Sequence, residues 1–149
     1  MIIRKAFRYR IKPTKEQKEK LVSFAGACRF VYNRGLANRK ELYEKAKKSI
    51  SYYEQNVELT QLKKQEDTSW LKDVHSQILQ QSLQDLDKGF KRFFREKDGG
   101  YPRFKCKGIR DSFRYPQGVK INDNQAYLPK IGWVTFIKSR EIEGDLKQT

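Results

Sequence analysis

The sequence predicts an α+β fold in which a helical lobe is inserted into a small β-structure. Three observations support this. Residues 2–12 alternate apolar and basic side chains, as a half-buried strand does. Residues 13–99 carry apolar side chains mostly three and four apart, the spacing of helices. From Asp98-Gly99-Gly100 onward that spacing stops, and short apolar pieces divided by turn residues take over. A lone opening strand has no hydrogen-bond partner, so it must pair with strands from the last third of the chain.

In residues 2–12, Ile3, Phe7, Tyr9 and Ile11 point one way, with Lys5 among them, and Arg4, Ala6, Arg8, Arg10 and Lys12 point the other. Pro13 stops the strand, and Thr14 with Gln17 has the spacing of a capping box. A short helix follows with Leu21, Val22 and Phe24 on its apolar side, and Gly26 is expected to break or bend it. Two helices joined near a glycine give a helix-turn-helix-like pattern, which any helical hairpin also shows. In residues 28–46, Cys28, Val31, Tyr32, Gly35, Leu36, Leu42, Tyr43 and Ala46 share one face, interrupted only by Arg39. Arg29, Asn33, Arg34 and Lys40 lie away from it, so this helix has a packing side and a positive side.

Residues 47–56 read as a loop in which Tyr52 and Tyr53 either cap the helical core or offer a ring to a base. Residues 57–65 read as a short helix and Asp67-Thr68-Ser69 as a turn, after which Trp70, Leu71 and Val74 pack inward. A second long helix spans 76–97, with Leu79, Leu83, Leu86, Phe90 and Phe93 as its seam. Another side carries Gln77, Gln80 and Gln84, then Lys88, Lys91 and Arg95. Gln pairs bidentately with adenine and cations hold phosphates, but Gln is also an ordinary surface helix former. His75, the single histidine, has no metal-ligand neighbours in sequence and is expected to cap the helix or lie on the surface. The strand-like pieces are 101–105, 112–115, 119–121, 125–128 and 133–137. Arg103, Lys105 and Arg114 alternate there with Tyr101, Phe104 and Tyr115, a pattern suited to phosphates and stacked bases.

The net charge of +15 favours an anionic partner, and it is segregated: +11 over residues 1–48, −4 over 49–87 and +8 over 88–149. That segregation suggests a binding surface rather than general solubility. The 37% hydrophobic content is lean but sufficient for one domain or two small lobes. Cys28 and Cys106 form no C-x-x-C pair and are expected to be reduced. Neither a membrane-length apolar run nor a signal-peptide pattern occurs, so a cytoplasmic chain without a membrane partner is expected.

The blocks FRYRIKPTKEQ, CRFVYNRGL, LTQLKK, TSWL, LQQSLQDLDKGFKRFF, YPRFKCK, DSFRY and LPKIGWV are spread along nearly the whole chain. In that order they resemble the N-terminal part of TnpB (OrfB-type) transposon proteins, RNA-guided nucleases related to type V CRISPR effectors. The resemblance implies a first barrel strand at 1–12, an inserted helical recognition lobe at 13–99, and the remaining strands of a small, incomplete antiparallel β-barrel at 100–149. It implies guide RNA and target DNA as partners, no small-molecule substrate, and a bacterial or archaeal setting at the nucleoid. Contacts to a motif flanking the target are implied at Tyr52, Ser76, Gln80 and Arg114, with Ser76 departing from a cation. Backbone contacts are implied at Arg8, Arg10, Arg29, Arg34, Lys88, Lys91, Arg95, Arg103 and Lys105.

The family's RuvC-like nuclease and zinc ribbon lie C-terminal to this region. No catalytic residue, metal ligand or cofactor is therefore expected in this chain, and magnesium and zinc are expected only in that later part. The close acidic trio Glu141, Glu143 and Asp145 matches no catalytic motif of the family. Residues 142–147 look like the opening of a further strand, so a truncated piece of a longer protein is expected. The alternative is a stand-alone helix-turn-helix DNA binder, such as a transposon-derived repressor, which would bind a two-part duplex site as a dimer without RNA.

Overall fold

Thr14 and Gln17 form the capping box. The Gln17 amide donates to Thr14 Oγ1 at 3.2 Å, and the Thr14 amide donates to Gln17 Oε1 at 3.0 Å. In the computed structural model, which describes residues 1–149, the helix they open, α1, spans Lys15–Ala46. Gly26 does not break it, contrary to the expectation from sequence. A glycine inside a helix costs only about 1 kcal/mol against alanine, and burial of Phe24, Ala25, Ala27 and Cys28 around it outweighs that. The stripe expected on α1 is buried at Cys28, Val31, Gly35 and Leu36, but Tyr43 and Ala46 are exposed because the helix outruns what it packs on. Lys47 ends it in the left-handed region, with φ 53°.

Residues 52–56, read above as loop, are the first turns of α2, Tyr52–Lys64. Ser51 and Glu54 make a second capping box, and Gln55, which looks like a surface residue, is buried. A 3-10 segment, Glu66–Asp73, replaces the expected turn and buries Leu71. The second long helix, α3, is Ser76–Arg95, close to its expected span, and buries Leu79, Leu83, Leu86 and Phe90. Gly35 lets α1 approach α3 closely: a Cβ there would come within 2.9 Å of Leu86 Cδ2 and 3.0 Å of Leu83 Cδ2.

Four strands form one antiparallel sheet: β1 (Arg10–Lys12), β2 (Lys120–Asn122), β3 (Gln125–Leu128) and β4 (Gly132–Ile137). Their order is β1-β4-β3-β2, so the opening strand pairs with the last third of the chain as its missing partners required. The Asn122-Asp123-Asn124 turn is also as expected, with Asp123 supplying a positive φ of 52°. The sheet is open and does not close into a barrel. Two expected strands, 101–105 and 112–115, are absent, and one residue of each is held elsewhere. The Lys105 amide donates to Asn33 Oδ1, and Tyr115 pairs with Thr149 through both amides.

Regular pairing of residues 2–9 is likewise absent. They are tied to the chain after β4 by side chains instead. Tyr9 Oη donates to the Arg140 carbonyl at 2.7 Å, and the Arg140 guanidinium donates to the Ala6 carbonyl at 3.2 Å.

One apolar core joins helices and sheet. It runs from Phe24, Cys28 and Val31 of α1 through Leu59, Leu71 and Ile78 to Tyr115, Val134 and Phe136. Gln17 fastens the start of α1 to β4 by donating to the Trp133 carbonyl at 2.8 Å.

Candidate nucleic-acid interface

The polar side of α1 presents an open surface that includes Arg29, Phe30, Asn33, Arg34 and Asn38. Helical periodicity puts these residues on one side, and the segment 101–114 is fastened along it. Asn33 grips Lys105 by both backbone groups, donating to its carbonyl at 2.9 Å and accepting from its amide at 2.8 Å. Arg29 pairs with Asp111 at 2.9 Å, and the same Asp111 carboxylate accepts the Gly108 amide at 3.0 Å. Lys105 Nζ stands 4.4 Å from the centre of the Tyr32 ring. Residues that the sequence offers as a basic, aromatic strand thus form a strap over two helices.

Of the backbone-contact residues, Arg34, Lys88 and Arg103 are exposed and make no ion pair, and the same holds for Arg8 and for Arg10, the first residue of β1. Lys91 is exposed but paired with Asp87 at 2.9 Å, and Arg95 with Glu96 at 3.3 Å. Arg29 meets the strap, which carries Arg103 and Lys105; Arg34, about 140° round α1 from Arg29, lies toward Glu58 of α2, and Lys88, Lys91 and Arg95 belong to α3. In the glutamine row only Gln80 is exposed; Gln77 and Gln84 are half-buried.

Ser76 and Gln80 sit one turn apart on the exposed face of α3. Arg114 is held by Asp85, about 140° round the helix from Gln80 at 100° per residue. Its Nε is buried without a partner. Tyr52 begins α2, half-buried, with its ring edge-on to Tyr53 at 5.4 Å. No hydrogen bond or ring contact links these four residues to one another.

Sequence reasoning missed a polar network beneath this surface. Arg39, apparently an interruption of the α1 stripe, donates through Nε to Gln55 Oε1 at 2.9 Å and through a terminal nitrogen to Asp87 Oδ1 at 2.9 Å. Gln55 Nε2 donates onward to the Gly35 carbonyl at 3.0 Å, so three helices share one network. Burial alone would raise the Asp87 carboxyl, but hydrogen bonds from Lys91 and Arg39 outweigh it and hold it below its ordinary 3.8. The recoverable signal was a cation inside an apolar stripe, which calls for a buried acid.

His75 precedes α3, but its side chain caps nothing. Its ring packs edge-on to Tyr115 at 5.5 Å, and burial followed by the nearby Lys130 charge lowers its pKa. Glu141 pairs with Lys138 and Glu143 with Lys5. Burial pushes the Cys28 thiol up to about 11, while Cys106 is exposed.

Residues 1–48 match a helix-turn-helix domain family of the OrfB type. The chain is similar to the putative RNA-guided DNA endonuclease InsQ of Escherichia coli (strain K12), 44% identical over 144 residues. That match covers 95% of this chain and 36% of the E. coli protein. It is also similar to a putative RNA-guided DNA endonuclease of Streptomyces pristinaespiralis, 34% identical over 140 residues, covering 93% of this chain and 33% of that protein. The chain thus spans about a third of the length of these curated relatives.

Proposed function

As a relative of the TnpB (OrfB-type) proteins over nearly its whole length, the chain is, we propose, the nucleic-acid-binding portion of an RNA-guided DNA endonuclease. It holds guide RNA and target DNA and reads a motif flanking the target. The observation that supports this reading is the basic strap of residues 101–114 fastened to α1. Asn33 and Arg29 anchor the strap, Arg103 and Lys105 carry positive charge along it, and Arg34 elsewhere on α1 makes no ion pair. Arg34, Arg103 and Lys105 contact phosphates, Lys88, Lys91 and Arg95 contact them along α3, and Arg8 and Arg10 do so at β1 and just before it. Arg29 reaches a phosphate by giving up Asp111. Gln80 meets a base edge in the motif in this reading, with Ser76 one turn before it, and Tyr52 and Arg114 make separate contacts. Arg114 reaches a base only after leaving Asp85.

This chain binds and does not cut. In this reading the chain itself holds neither magnesium nor zinc. No helix is long and apolar enough to cross a membrane, and the proposed place of action is the nucleoid in a prokaryotic cytoplasm. The stand-alone repressor reading is less well supported, because α1 runs through Gly26 with no turn between two helices.

The test is purification of the chain without nuclease treatment, followed by sequencing of the nucleic acid carried along and DNA-binding assays with and without it. RNA that copurifies and is needed for DNA binding supports the proposal. A sharp duplex footprint from an RNA-free dimer supports the repressor instead. Adding magnesium to the chain with DNA is expected to yield no cleavage.

A further inference from the structure

An aromatic cluster opens to solvent where the end of α3 meets the strap. Phe93 stands edge-on to Phe94 and to Tyr101, each at 5.2 Å, and Tyr101 meets Phe90 edge-on at 5.4 Å. Phe90 is buried and carries the Arg39 guanidinium 5.0 Å above its ring, so the cluster is rooted in the interior. Outward, Phe94 is 78% exposed, Phe104 49% and Tyr101 41%. Lys40 Nζ lies 5.5 Å from the Phe104 ring centre and 6.0 Å from that of Tyr101. From Lys88 to Lys105 the sequence has seven basic side chains against two acidic ones, Glu96 and Asp98. Glu44 is a further acid near Tyr101.

The centre of a protein-docking face is depleted of charge. Rings set among cations instead match a ligand with flat apolar faces on an anionic backbone. A duplex hides those faces in its stack, whereas an unpaired strand exposes them. The geometry points to a stacking platform for unpaired bases of single-stranded nucleic acid at Phe94, Tyr101 and Phe104, with Lys40 at the phosphates. This inference rests on the nucleic-acid reading above and adds the place and the strand state.

The test compares binding of the 149-residue chain to an oligothymidylate and to a DNA duplex of equal length. Phe94→Ala and Phe104→Ala each weaken single-strand binding about tenfold, the effect of one lost base–ring stack. Duplex binding and the salt slope do not move, because no charge is removed. Phe94→Trp retains single-strand binding. Unchanged circular dichroism is the folding control, and it is expected because Phe94 is largely exposed.

If the unchanged chain binds neither probe, both readings fall. If it binds duplex and Phe94→Ala leaves single-strand affinity unmoved, this one alone falls. Equal losses on both probes overturn it as well. So does self-association that Phe94→Ala abolishes while single-strand affinity stays, which would give the patch to a second copy of the chain.

Discussion

Asn33 shows how a residue placed correctly from sequence can hold a different role in the fold. Periodicity puts it on the outward side of α1, among the cations. In the structure it grips both backbone groups of Lys105. Asn33→Ala should loosen the strap, with a loss of about 1–2 kcal/mol for the two bonds. Hydrogen exchange should show the Lys105 amide deprotected while the α1 core stays protected, and unchanged protection would refute the clamp. The two cysteines make a second case. With Cys28 buried and its pKa near 11, only Cys106 should react with a thiol reagent in the native protein, and both should react in denaturant. Fast labelling of two thiols in the native state would contradict the packing described.

At the scale of elements, the long helices were the most legible. Both carry strong three-four spacing, and α3 lies close to its expected span. The first turns of α2 were hidden because Tyr52, Glu54, Gln55 and Asn56 supply no apolar stripe, although the Ser51–Glu54 capping box was there to be read. Arg39 belongs to this scale because it joins elements. Its bonds to Asp87 and Gln55 tie α1 to α3 and α2. Asp87→Asn should therefore destabilise the bundle by about 2 kcal/mol at neutral pH, a charge-assisted hydrogen bond being worth roughly that much. The Asp87 carboxyl is held below its ordinary value in the fold. Its stabilisation is thus complete above pH 3.8 and is lost as pH falls through the lower folded value. Denaturant titrations should show the two proteins converging in acid. A constant difference across that range would remove Asp87 from the network.

For the whole molecule, charge dominates. A net +15 sets up self-repulsion that polyanion binding relieves, and each neutralised phosphate releases counterions. Replacing Lys88, Lys91 and Arg95 together by alanine should weaken nucleic-acid binding and flatten its salt dependence, as filter binding at several salt concentrations would measure. An unchanged slope would mean that the α3 surface is not the one that meets phosphates. Lys91 and Arg95 already face Asp87 and Glu96, so the flattening should be smaller than three unpaired cations would give.

Residue order alone settled the local features: the capping box at Thr14, the helical stripes, the Asp123 turn, the pairing of the first strand with the last third, and the uneven charge. All depend on short-range periodicity or on a backbone group's need for a partner. Which cations stay free, whether the sheet closes, and that 101–114 becomes a strap were decided by folding. Each depends on which partner distant in sequence takes a group: Asn33 takes the Lys105 amide, Asp85 takes Arg114 and Asp111 takes Arg29. Such a choice is resolved only when three-dimensional packing fixes which groups come within hydrogen-bonding reach.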